Sequence, residues 1–355
     1  MDLDDKSTSV RHGEELNLQG VEEFLRANIE GLEGTLTVEQ FPSGYSNLTY
    51  LLRMSDRELV LRRPPFGRKA KTAHDMGREF RILRSIEDVF PYSPRALIYS
   101  DDESITGSPF YVMDRIKGII LRRDLPQGMA IQASQMEELC ENLVNVHHEL
   151  HSIDFNAQGL TGLGKPEGYV RRQVEGWSNR YRSARTEDAP SFEVVMKWLA
   201  ENMPHDSVAP ALIHNDYKFD NVVLDPANGL RIKGVLDWEM ATIGDPLMDL
   251  GCSLAYWVQE NDPDILKAIR TLPTNLPGAW SRIRIVERYA QKAGLRLDDF
   301  SFYYCFGLFR LAVIAQQIYY RYYHGQTGDP RFKALIGAVH GLDSVATMVT
   351  RGQGL

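Results

Sequence analysis

The chain has 355 residues, of which 43% are hydrophobic and 25% charged, and its formal net charge is −8. The length suggests about two domains, and the composition is ordinary for a soluble globular protein. The negative charge argues against a nucleic-acid-binding protein, which usually carries a basic domain. Three cysteines, few and far apart, predict neither a disulfide framework nor a zinc site, so we expect a cytoplasmic, reducing location.

The N-terminal residues are acidic and polar, unlike a secretory signal, and residues 1–17 are expected to form a mobile leader. The most apolar long run, residues 302–320, contains Arg310, Gln316 and Gln317. Three polar side chains in this run predict a buried helix and not a membrane span. We therefore expect no membrane partner and no nucleic-acid partner, and the sequence indicates no oligomeric state.

The first third of the chain predicts a small antiparallel sheet. A short amphipathic helix at 21–28 precedes strands at 36–41, 48–54 and 58–63, the last of them stopped by two prolines. A charged helix at 69–85 follows, and strands at 96–100 and 110–116 complete five strands. We predict an N-terminal lobe of residues 1–116 with a five-stranded antiparallel sheet plus a helix.

Residues 117–355 predict a larger, mainly helical lobe, with helices at 136–153, 170–185 and 192–201. Gly244-Asp245-Pro246 is a helix start, with Asp245 as N-cap and proline in the first helical position. His147 and His151 lie one helical turn apart, a spacing that would let both side chains bind one metal ion. No third ligand is recognisable nearby in the sequence, so a structural role is favoured.

Two stretches in the C-terminal lobe carry the chemistry: His-Asn-Asp-Tyr-Lys-Phe-Asp-Asn at 214–221 and Val-Leu-Asp-Trp-Glu at 235–239. Each follows a short apolar run that predicts a buried strand, and a predicted hairpin between them brings Asn221 and Asp237 to one end. Two oxygen ligands at adjacent strand ends suit Mg²⁺. Asp216, five residues before Asn221, could orient a hydroxyl for attack, which is the layout that phosphoryl transfer needs.

The pattern Asp216-x-Lys218-x-x-Asn221 with a later Asp237 resembles the catalytic and metal-binding loops of the protein-kinase-like superfamily. The sequence from His214 through Gly-Asp-Pro-Leu-Met-Asp-Leu at 244–250 most resembles the aminoglycoside and choline kinase-like branch of this superfamily. Residues 309–322 resemble the kinase-like domains that are fused to acyl-CoA dehydrogenases in some proteins. The resemblance implies a bilobal, α+β protein-kinase-like fold and an enzyme that uses ATP and Mg²⁺ to phosphorylate a small-molecule hydroxyl.

The resemblance also implies nucleotide-binding residues in the N-terminal lobe. Arg62 stands where this superfamily has a strand lysine, on the same face as Val60; it either binds phosphate or marks impaired phosphate binding. Glu79 matches the helix glutamate that pairs with the strand cation. The implied phosphate loop and adenine-binding hinge consist of Ser43, Gly44, Tyr45, Ser46 and Asn47, and of Met113, Asp114, Arg115 and Ile116.

By the same resemblance, Asp216 would accept or orient the hydroxyl proton, and Asn221 and Asp237 would hold Mg²⁺. Lys218 would either stabilise charge on the transferring phosphoryl group or be an ordinary solvated lysine. Two residues are implied as supports of the catalytic loop: His214 and Asp249.

The acceptor is indicated less directly. Aminoglycoside kinases need an acidic pocket, yet residues 245–355 contain 10 acidic residues and 12 lysines and arginines. This balance argues against an aminoglycoside and mildly against choline. A helix at about 302–324 would place Arg310, Gln317 and Arg321 on one face, which favours an anionic acceptor if that face lines a pocket. The resemblance to the acyl-CoA dehydrogenase fusions points to a hydroxyacyl-CoA.

Two alternatives of other classes stay open. A metal-dependent phosphohydrolase could use four residues around one or two metals: His214, Asp216, Asp220 and Asp237. A catalytically silent nucleotide-binding module is favoured by Arg62 and by a phosphate loop with a single glycine. The resemblance implies no role for Asp220.

Overall fold

The computed structural model describes residues 4–42, 47–65, 75–204 and 208–353. The chain divides into two compact units. The first comprises Met1–Ile120, Gln158–Leu160 and Asn221–Ala241, and the second comprises Leu121–Ala157, Thr161–Asp220 and Thr242–Leu355. The predicted lobes at 1–116 and 117–355 differ from this division, because the segment 221–241 belongs to the first unit.

The strands are β1 Thr37–Gln40, β2 Leu48–Met54, β3 Arg57–Arg63, β4 Ala96–Ser100, β5 Phe110–Asp114, β6 Ala211–Ile213, β7 Val222–Asp225, β8 Arg231–Val235 and β9 Thr242–Gly244. The helices are α1 Leu18–Asn28, α2 Met76–Ile86, α3 Glu103–Thr106, α4 Ala133–His151, α5 Tyr169–Ala184, α6 Glu193–Glu201, α7 Pro246–Leu254, α8 Asp264–Ala268, α9 Arg282–Ala293, α10 Ser301–Tyr323 and α11 Leu335–Val349. These bounds confirm the predicted mixed fold with its five-stranded antiparallel sheet.

The sheet of the first unit has the order β1-β2-β3-β5-β4. Side chains alternate between its faces, so β3 serves two cores at once. Leu59 and Leu61 pack into a core that includes Val21 and Leu25 of α1. Arg62 points to the opposite face and contacts α2. The period-two pattern of β3 therefore places one buried arginine beside α2 and keeps leucines on the α1 side.

The described residues of the predicted leader are attached to this sheet. Thr8 exchanges both backbone hydrogen bonds with Gln40, each 2.8 Å long. The hydroxyl of Tyr50 donates to the carbonyl of Glu14 at 2.7 Å, and Leu16 is buried. The prediction of a mobile leader is therefore wrong for residues 4–17. The physical reason is that β1 is an edge strand, whose unpaired backbone groups this segment satisfies.

The hairpin of β7 and β8 is part of the first unit for a similar reason. Leu224 exchanges backbone hydrogen bonds with Ile119, with lengths of 2.8 and 3.0 Å. Gly118, just before Ile119, has φ of +155°, and a Cβ atom there would lie 2.3 Å from the carbonyl oxygen of Leu224. Only glycine permits this approach, which joins the hairpin to the chain that leaves β5.

The second unit is built around α10, whose N-terminal part is mostly buried and which packs on α5, α7 and α11. Its backbone meets α7 very closely: a Cβ atom on Gly307 would lie 2.1 Å from the carbonyl oxygen of Gly251. A second short sheet pairs β6 with β9, and β9 was not predicted because three residues show no periodicity. The glycine contact sets the spacing between the helices that carry Asp249 and Arg310.

Among the described residues, one helical stretch, Pro330–Val349, is long and apolar enough to cross a membrane by length and composition. Core helices of soluble proteins meet the same test. Val339, Leu342 and Val345 of this stretch are buried, and α11 packs on α10. The stretch is therefore weak evidence for a membrane segment.

Candidate active site

The loop after β6 is held by one buried carboxylate. Asp249, in the first turn of α7, accepts the backbone N–H of His214 at 2.8 Å through Oδ2 and that of Asn215 at 2.7 Å through Oδ1. Asn215 has φ of +63°, a conformation that is costly for a residue other than glycine. Asp245 caps the same helix as predicted, because its side chain accepts two backbone N–H groups of the first turn. The N-cap at Asp245 fixes the first turn of α7, and Asp249 in that turn fixes the start of the loop after β6.

Two histidines complete the surroundings of Asp249. Nε2 of His147 and Nε2 of His151 lie 3.1 and 3.0 Å from Oδ2 of Asp249, and Nδ1 of His151 lies 2.7 Å from the hydroxyl of Tyr289. Burial lowers the pKa of His151 to about 4, so this imidazole is neutral near pH 7. Burial opposes ionisation of Asp249, but the hydrogen bonds from both histidines outweigh it and hold the pKa of Asp249 well below its usual range.

The three side chains also form a group whose possible ligand atoms lie within 4.8 Å of one another. Sequence inspection missed Asp249 as a third partner for His147 and His151, since it comes from a helix about 100 residues away. Hydrogen bonding accounts for every one of these contacts: both Nε2 atoms donate to Asp249, and Tyr289 donates to Nδ1 of His151. The arrangement is a brace for the loop, and the contacts fit the supporting role predicted for Asp249.

The next residues of the loop are anchored by their neighbours. His214 is fully buried, and its Nδ1 accepts the backbone N–H of Asp216 at 3.3 Å, as a bracing residue would. Tyr217 is buried, donates its hydroxyl to the carbonyl of Leu143 at 2.9 Å and stacks on His147 with ring centroids 4.2 Å apart. Tyr217 is thus anchored by its side chain, and this anchor also fixes the backbone position of its two neighbours, Asp216 and Lys218.

Lys218 is engaged on three sides. Its ammonium forms an ion pair with Asp216, lies 3.4 Å from Oδ1 of Asp220 and sits 5.0 Å from the ring centroid of Tyr256. Its side chain is 10% exposed, so the alternative of a solvated lysine is wrong. Burial opposes the charge on Lys218, but the surrounding acidic groups, Asp216 first, together outweigh it and raise the pKa of the lysine. For Asp220 burial is the largest effect, and it raises the pKa of the carboxyl.

Arg310 of α10 is also buried in the second unit, at 4% exposure. Its guanidinium lies 5.2 Å from the ring centroid of Trp177. Burial opposes its charge, but the surrounding groups, Cys252 foremost and Asp216 among them, raise the pKa of Arg310. Gln317 is exposed and Arg321 half-buried. The helical face that was predicted to carry Arg310, Gln317 and Arg321 therefore passes from the protein interior to solvent. The substrate roles of these three residues stay predictions.

In the first unit, Arg62 is the centre of a charge cluster. Its guanidinium lies 2.8 Å from Glu79, 2.8 Å from Asp237 and 3.8 Å from Glu239. Its side chain is 9% exposed, so Arg62 is not a solvated residue at the end of the strand. Burial alone would lower the pKa of Arg62, yet the carboxylates, Glu79 first, hold it well above its usual value. Burial raises the pKa of Glu79.

The hairpin brings the two predicted metal ligands to one end, as expected. The backbone N–H of Leu236 donates to the carbonyl of Asn221 at 2.8 Å, and Val222 pairs with Val235. Asp237 follows with φ of +68°, a second strained position at a predicted site residue. The strain indicates that the orientation of this carboxylate is imposed by its surroundings.

These residues fit the Mg²⁺ that the family pattern implies. Magnesium prefers oxygen ligands and commonly takes one or two carboxylates from the protein. Asn221 offers an amide oxygen, and Asp237 and Glu239 offer carboxylates beside a single arginine. With Glu79 included, three carboxylates face one guanidinium, so the cluster has a formal charge of −2 that a divalent cation would balance.

Only part of the predicted phosphate loop lies within the described residues. Four of them lie outside the described residues: Ser43, Gly44, Tyr45 and Ser46. Asn47 is buried, and its amide donates to Glu239 at 2.7 Å. The end of the predicted loop is therefore tied to the carboxylate cluster, and the loop's contact with phosphate stays a prediction.

The predicted adenine-binding hinge begins inside the sheet. Val60 pairs with Met113, and both side chains are buried. The backbone N–H of Asp114 donates to Arg95 at 2.9 Å, and that of Arg115 donates to Glu58 at 3.3 Å. The backbone N–H groups of Asp114 and Arg115 are therefore already engaged, and their contact with adenine stays a prediction. Ile116 packs where a Cβ atom on Gly234 would lie.

Two contributors were missed by the sequence reasoning. Glu239 follows Asp237 by two residues, so its position beside the predicted metal ligand was a usable signal. Tyr256 had none, since it lies 40 residues from Asp216 and only folding brings its ring over Lys218.

The chain is similar to known proteins of one family. A model of the family described as "Phosphotransferase enzyme family" matches residues 37–285. The chain is 34% identical over 315 residues to acyl-CoA dehydrogenase family member 10 of Mus musculus, covering 87% of this chain and 29% of that protein. It is 32% identical over 319 residues to acyl-CoA dehydrogenase family member 11 of Homo sapiens, covering 88% of this chain and 40% of that protein. The chain thus spans well under half the length of these relatives.

Solved structures show the same fold. A Ralstonia eutropha protein assigned to the aminoglycoside phosphotransferases is 27% identical, with a TM-score of 0.80 over 96% of this chain and 100% of that one. Choline kinase from Cryptosporidium parvum has a TM-score of 0.64 over 94% of this chain and 97% of that one, at 12% identity. The predicted resemblance and the predicted enzyme class, a small-molecule phosphotransferase, are confirmed.

Proposed function

Because the chain belongs to the phosphotransferase enzyme family, we propose that it transfers the γ-phosphoryl group of ATP to a hydroxyl group of a small molecule. The observation that carries the proposal is the partly buried Asp216–Lys218 ion pair on a loop that Asp249 holds through two backbone N–H groups. A carboxylate and an ammonium in a fixed loop are the groups that positioning and charge neutralisation in phosphoryl transfer require.

In the proposed reaction the hydroxyl oxygen of the acceptor attacks the γ-phosphorus. A new O–P bond forms, the bond from the γ-phosphorus to the bridging oxygen breaks, and ADP leaves with that electron pair. Asp216 orients the hydroxyl and accepts its proton. Lys218 neutralises charge on the transferring group, which matters because the transition state is loose and carries its charge on the phosphoryl oxygens. Arg62, held by Glu79, contributes a cation for the nucleotide phosphates.

Mg²⁺ would be held by Asn221 and Asp237, and when bound it would neutralise charge on the phosphates. Arg62 lies 2.8 Å from Asp237, so the carboxylate has a cationic partner in the protein itself. Glu79, 2.8 Å from the other side of the guanidinium, keeps Arg62 in place when Asp237 turns to the metal.

For the acceptor we propose an anionic alcohol, such as a hydroxyacyl-CoA, in place of an aminoglycoside. The support is the slight excess of basic over acidic residues in 245–355 and the buried positive charge of Arg310 in the second unit. A polycationic acceptor would meet Lys218 and Arg310 with like charge. The relatives named as acyl-CoA dehydrogenase family members favour the same class of acceptor.

The test is an ADP-release screen with ATP, and in parallel with GTP, across hydroxyacyl-CoAs, sugars, choline-like alcohols and amino sugars. Mass spectrometry should find one phosphate added to the acceptor, and the hydroxyacyl-CoAs should react best. Phosphoester hydrolysis with Mg²⁺ or Mn²⁺ and no nucleotide requirement would favour a phosphohydrolase. Nucleotide binding without turnover of any acceptor would favour a silent binding module.

The proposed location is a reducing compartment such as the cytoplasm. It rests on Cys140, Cys252 and Cys305, which are free and buried. Fractionation of cells that express the tagged full-length protein tests it.

A further inference from the structure

Lys218 lies between two carboxylates, and the proposed reaction uses only one of them. Asp216 forms an ion pair with the ammonium on one side. On the other side Oδ1 of Asp220 lies 3.4 Å away. The ring of Tyr256 closes a third side at 5.0 Å. The resemblance to known kinases left Asp220 without a role, and the geometry supplies one.

Oδ1 of Asp220 is buried and makes no hydrogen bond of its own. A buried carboxylate oxygen without a donor is costly unless a nearby charge or movement compensates it. Charge-assisted N–H···O bonds are about 2.7–2.9 Å long, so an approach of about 0.6 Å by the ammonium would complete a bond to Asp220. Lys218 thus has one partner that it contacts and a second that it can reach by a small movement.

The backbone around Asp220 is held in place by a buried aromatic residue. Asp220 is the middle residue of a 3₁₀ turn, Phe219–Asn221. Phe219 is fully buried, and its ring packs on Trp257 with centroids 5.4 Å apart. A turn anchored by a buried ring holds the carboxylate beside it at a set distance from Lys218.

We propose that Asp220 is a positioning residue that retains Lys218 when the acceptor hydroxyl takes over the carboxylate of Asp216. This role rests on the proposed phosphoryl transfer. Before the acceptor binds, Lys218 forms an ion pair with Asp216. The ammonium therefore competes with the acceptor hydroxyl for the carboxylate of Asp216. As the hydroxyl binds, the ammonium moves toward Asp220, stays compensated and remains directed at the transferring phosphoryl group. Without Asp220, release of Lys218 from Asp216 would leave a buried cation without a carboxylate partner, so Lys218 would stay on the base.

The test uses four variants of the full chain with the best acceptor from the screen: Asp220→Asn, Asp220→Glu, Lys218→Met and the double variant Asp220→Asn/Lys218→Met. Asp220→Asn preserves size and removes the charge, and kcat should fall about 10- to 100-fold while KM for the nucleotide changes less than about 2-fold. Asp220→Glu should recover most of the lost kcat. Because Asp220 acts through Lys218, the double variant should lose no more kcat than Lys218→Met alone.

A merely structural role predicts a different pattern. Asp220→Asn would then lower the thermal midpoint, and its effect on kcat would add to that of Lys218→Met. The matched control is Asp225→Asn, the same change at a half-buried aspartate at the end of β7, where Lys233 lies 3.8 Å away. It should leave kcat within about 2-fold of the wild type.

The outcomes separate this role from the proposed function. If the wild type transfers phosphate and Asp220→Asn keeps at least half of its kcat, or the double variant shows additive losses, the role of Asp220 is wrong and phosphoryl transfer stands. If the wild type phosphorylates no acceptor in the screen, the proposed function fails and the role fails with it. A fold failure of Asp220→Asn leaves Asp220→Glu as the deciding variant, because a carboxylate one methylene longer should retain activity only if charge is what matters.

Discussion

Replacing Arg62 with methionine should destabilise the first unit substantially. The guanidinium lies 2.8 Å from Glu79 and 2.8 Å from Asp237, and the side chain of Glu79 is 2% exposed. The variant leaves a buried carboxylate without this cation, and removing one partner of a buried ion pair typically costs about 3–5 kcal/mol. We expect a loss of that size in the free energy of unfolding and a fall in the thermal midpoint on the order of 10 °C.

The pH dependence of this loss follows from Glu79. Burial raises the pKa of Glu79, and the charge of Arg62 opposes that rise. In the Arg62→Met variant Glu79 therefore binds a proton more readily when folded than when unfolded, so the folded state gains stability as pH falls. The difference from the wild type should be largest near pH 8 and should shrink on acidification toward pH 5.

The assay is urea unfolding followed by circular dichroism for Arg62→Met, Glu79→Gln and the double variant, at pH 8 and pH 5. The double variant should lose clearly less than the sum of the single losses, because the pair is removed together. Arg57→Met is the matched control on the same strand: Arg57 and Asp114 are 3.3 Å apart and each about a third exposed, so the loss should stay below about 1 kcal/mol. Equal losses for Arg57→Met and Arg62→Met, or additive losses in the double variant, would refute the reasoning.

Three further predictions concern the loop and its metal. Asp216→Ala should lower kcat by about 10²–10⁴-fold and leave nucleotide affinity largely unchanged by calorimetry, and normal ADP release would contradict the base assignment. Asn221→Ala should raise the Mg²⁺ concentration needed for half-maximal turnover by about tenfold or more, and an unchanged magnesium titration would exclude the amide as a ligand. The pKa of His151 is lowered to about 4 from 6.5, so unfolding binds a proton between these values and acidification from pH 6.5 to 4 should remove about 3 kcal/mol of stability. His151→Gln should flatten that dependence in urea unfolding curves, and equal slopes for both proteins would show that another group titrates.

The placement of the two candidate metal ligands could be predicted because both adjoin one hairpin. Asn221 and Asp237 flank the hairpin of β7 and β8, and a hairpin brings its two ends together whatever surrounds it. Strand alternation likewise put Arg62 and Val60 on one face of β3, since side chains alternate with period two. The N-cap at Asp245 followed from its place before a proline.

Other features depended on residues that are distant in sequence. The third partner of His147 and His151 is Asp249, about 100 residues away. The contacts of residues 4–17 exist because β1 has an open edge, which no periodicity in that segment announces. On α10, helical spacing correctly aligned Arg310 with Gln317, yet one is buried and the other exposed. The reason is that spacing defines a direction, whereas burial depends on which elements pack there.

By itself the sequence predicted the residues proposed for the reaction, and it determined the mixed fold with its five-stranded antiparallel sheet, because periodicity, turns and motif spacing are local properties. Only the tertiary structure decided how the charges are compensated. It placed Arg62 at the centre of three carboxylates, and it placed Lys218 between Asp216 and Asp220. Compensation of a buried charge depends on every group within a few ångströms, and those groups come from segments that only the folded chain brings together.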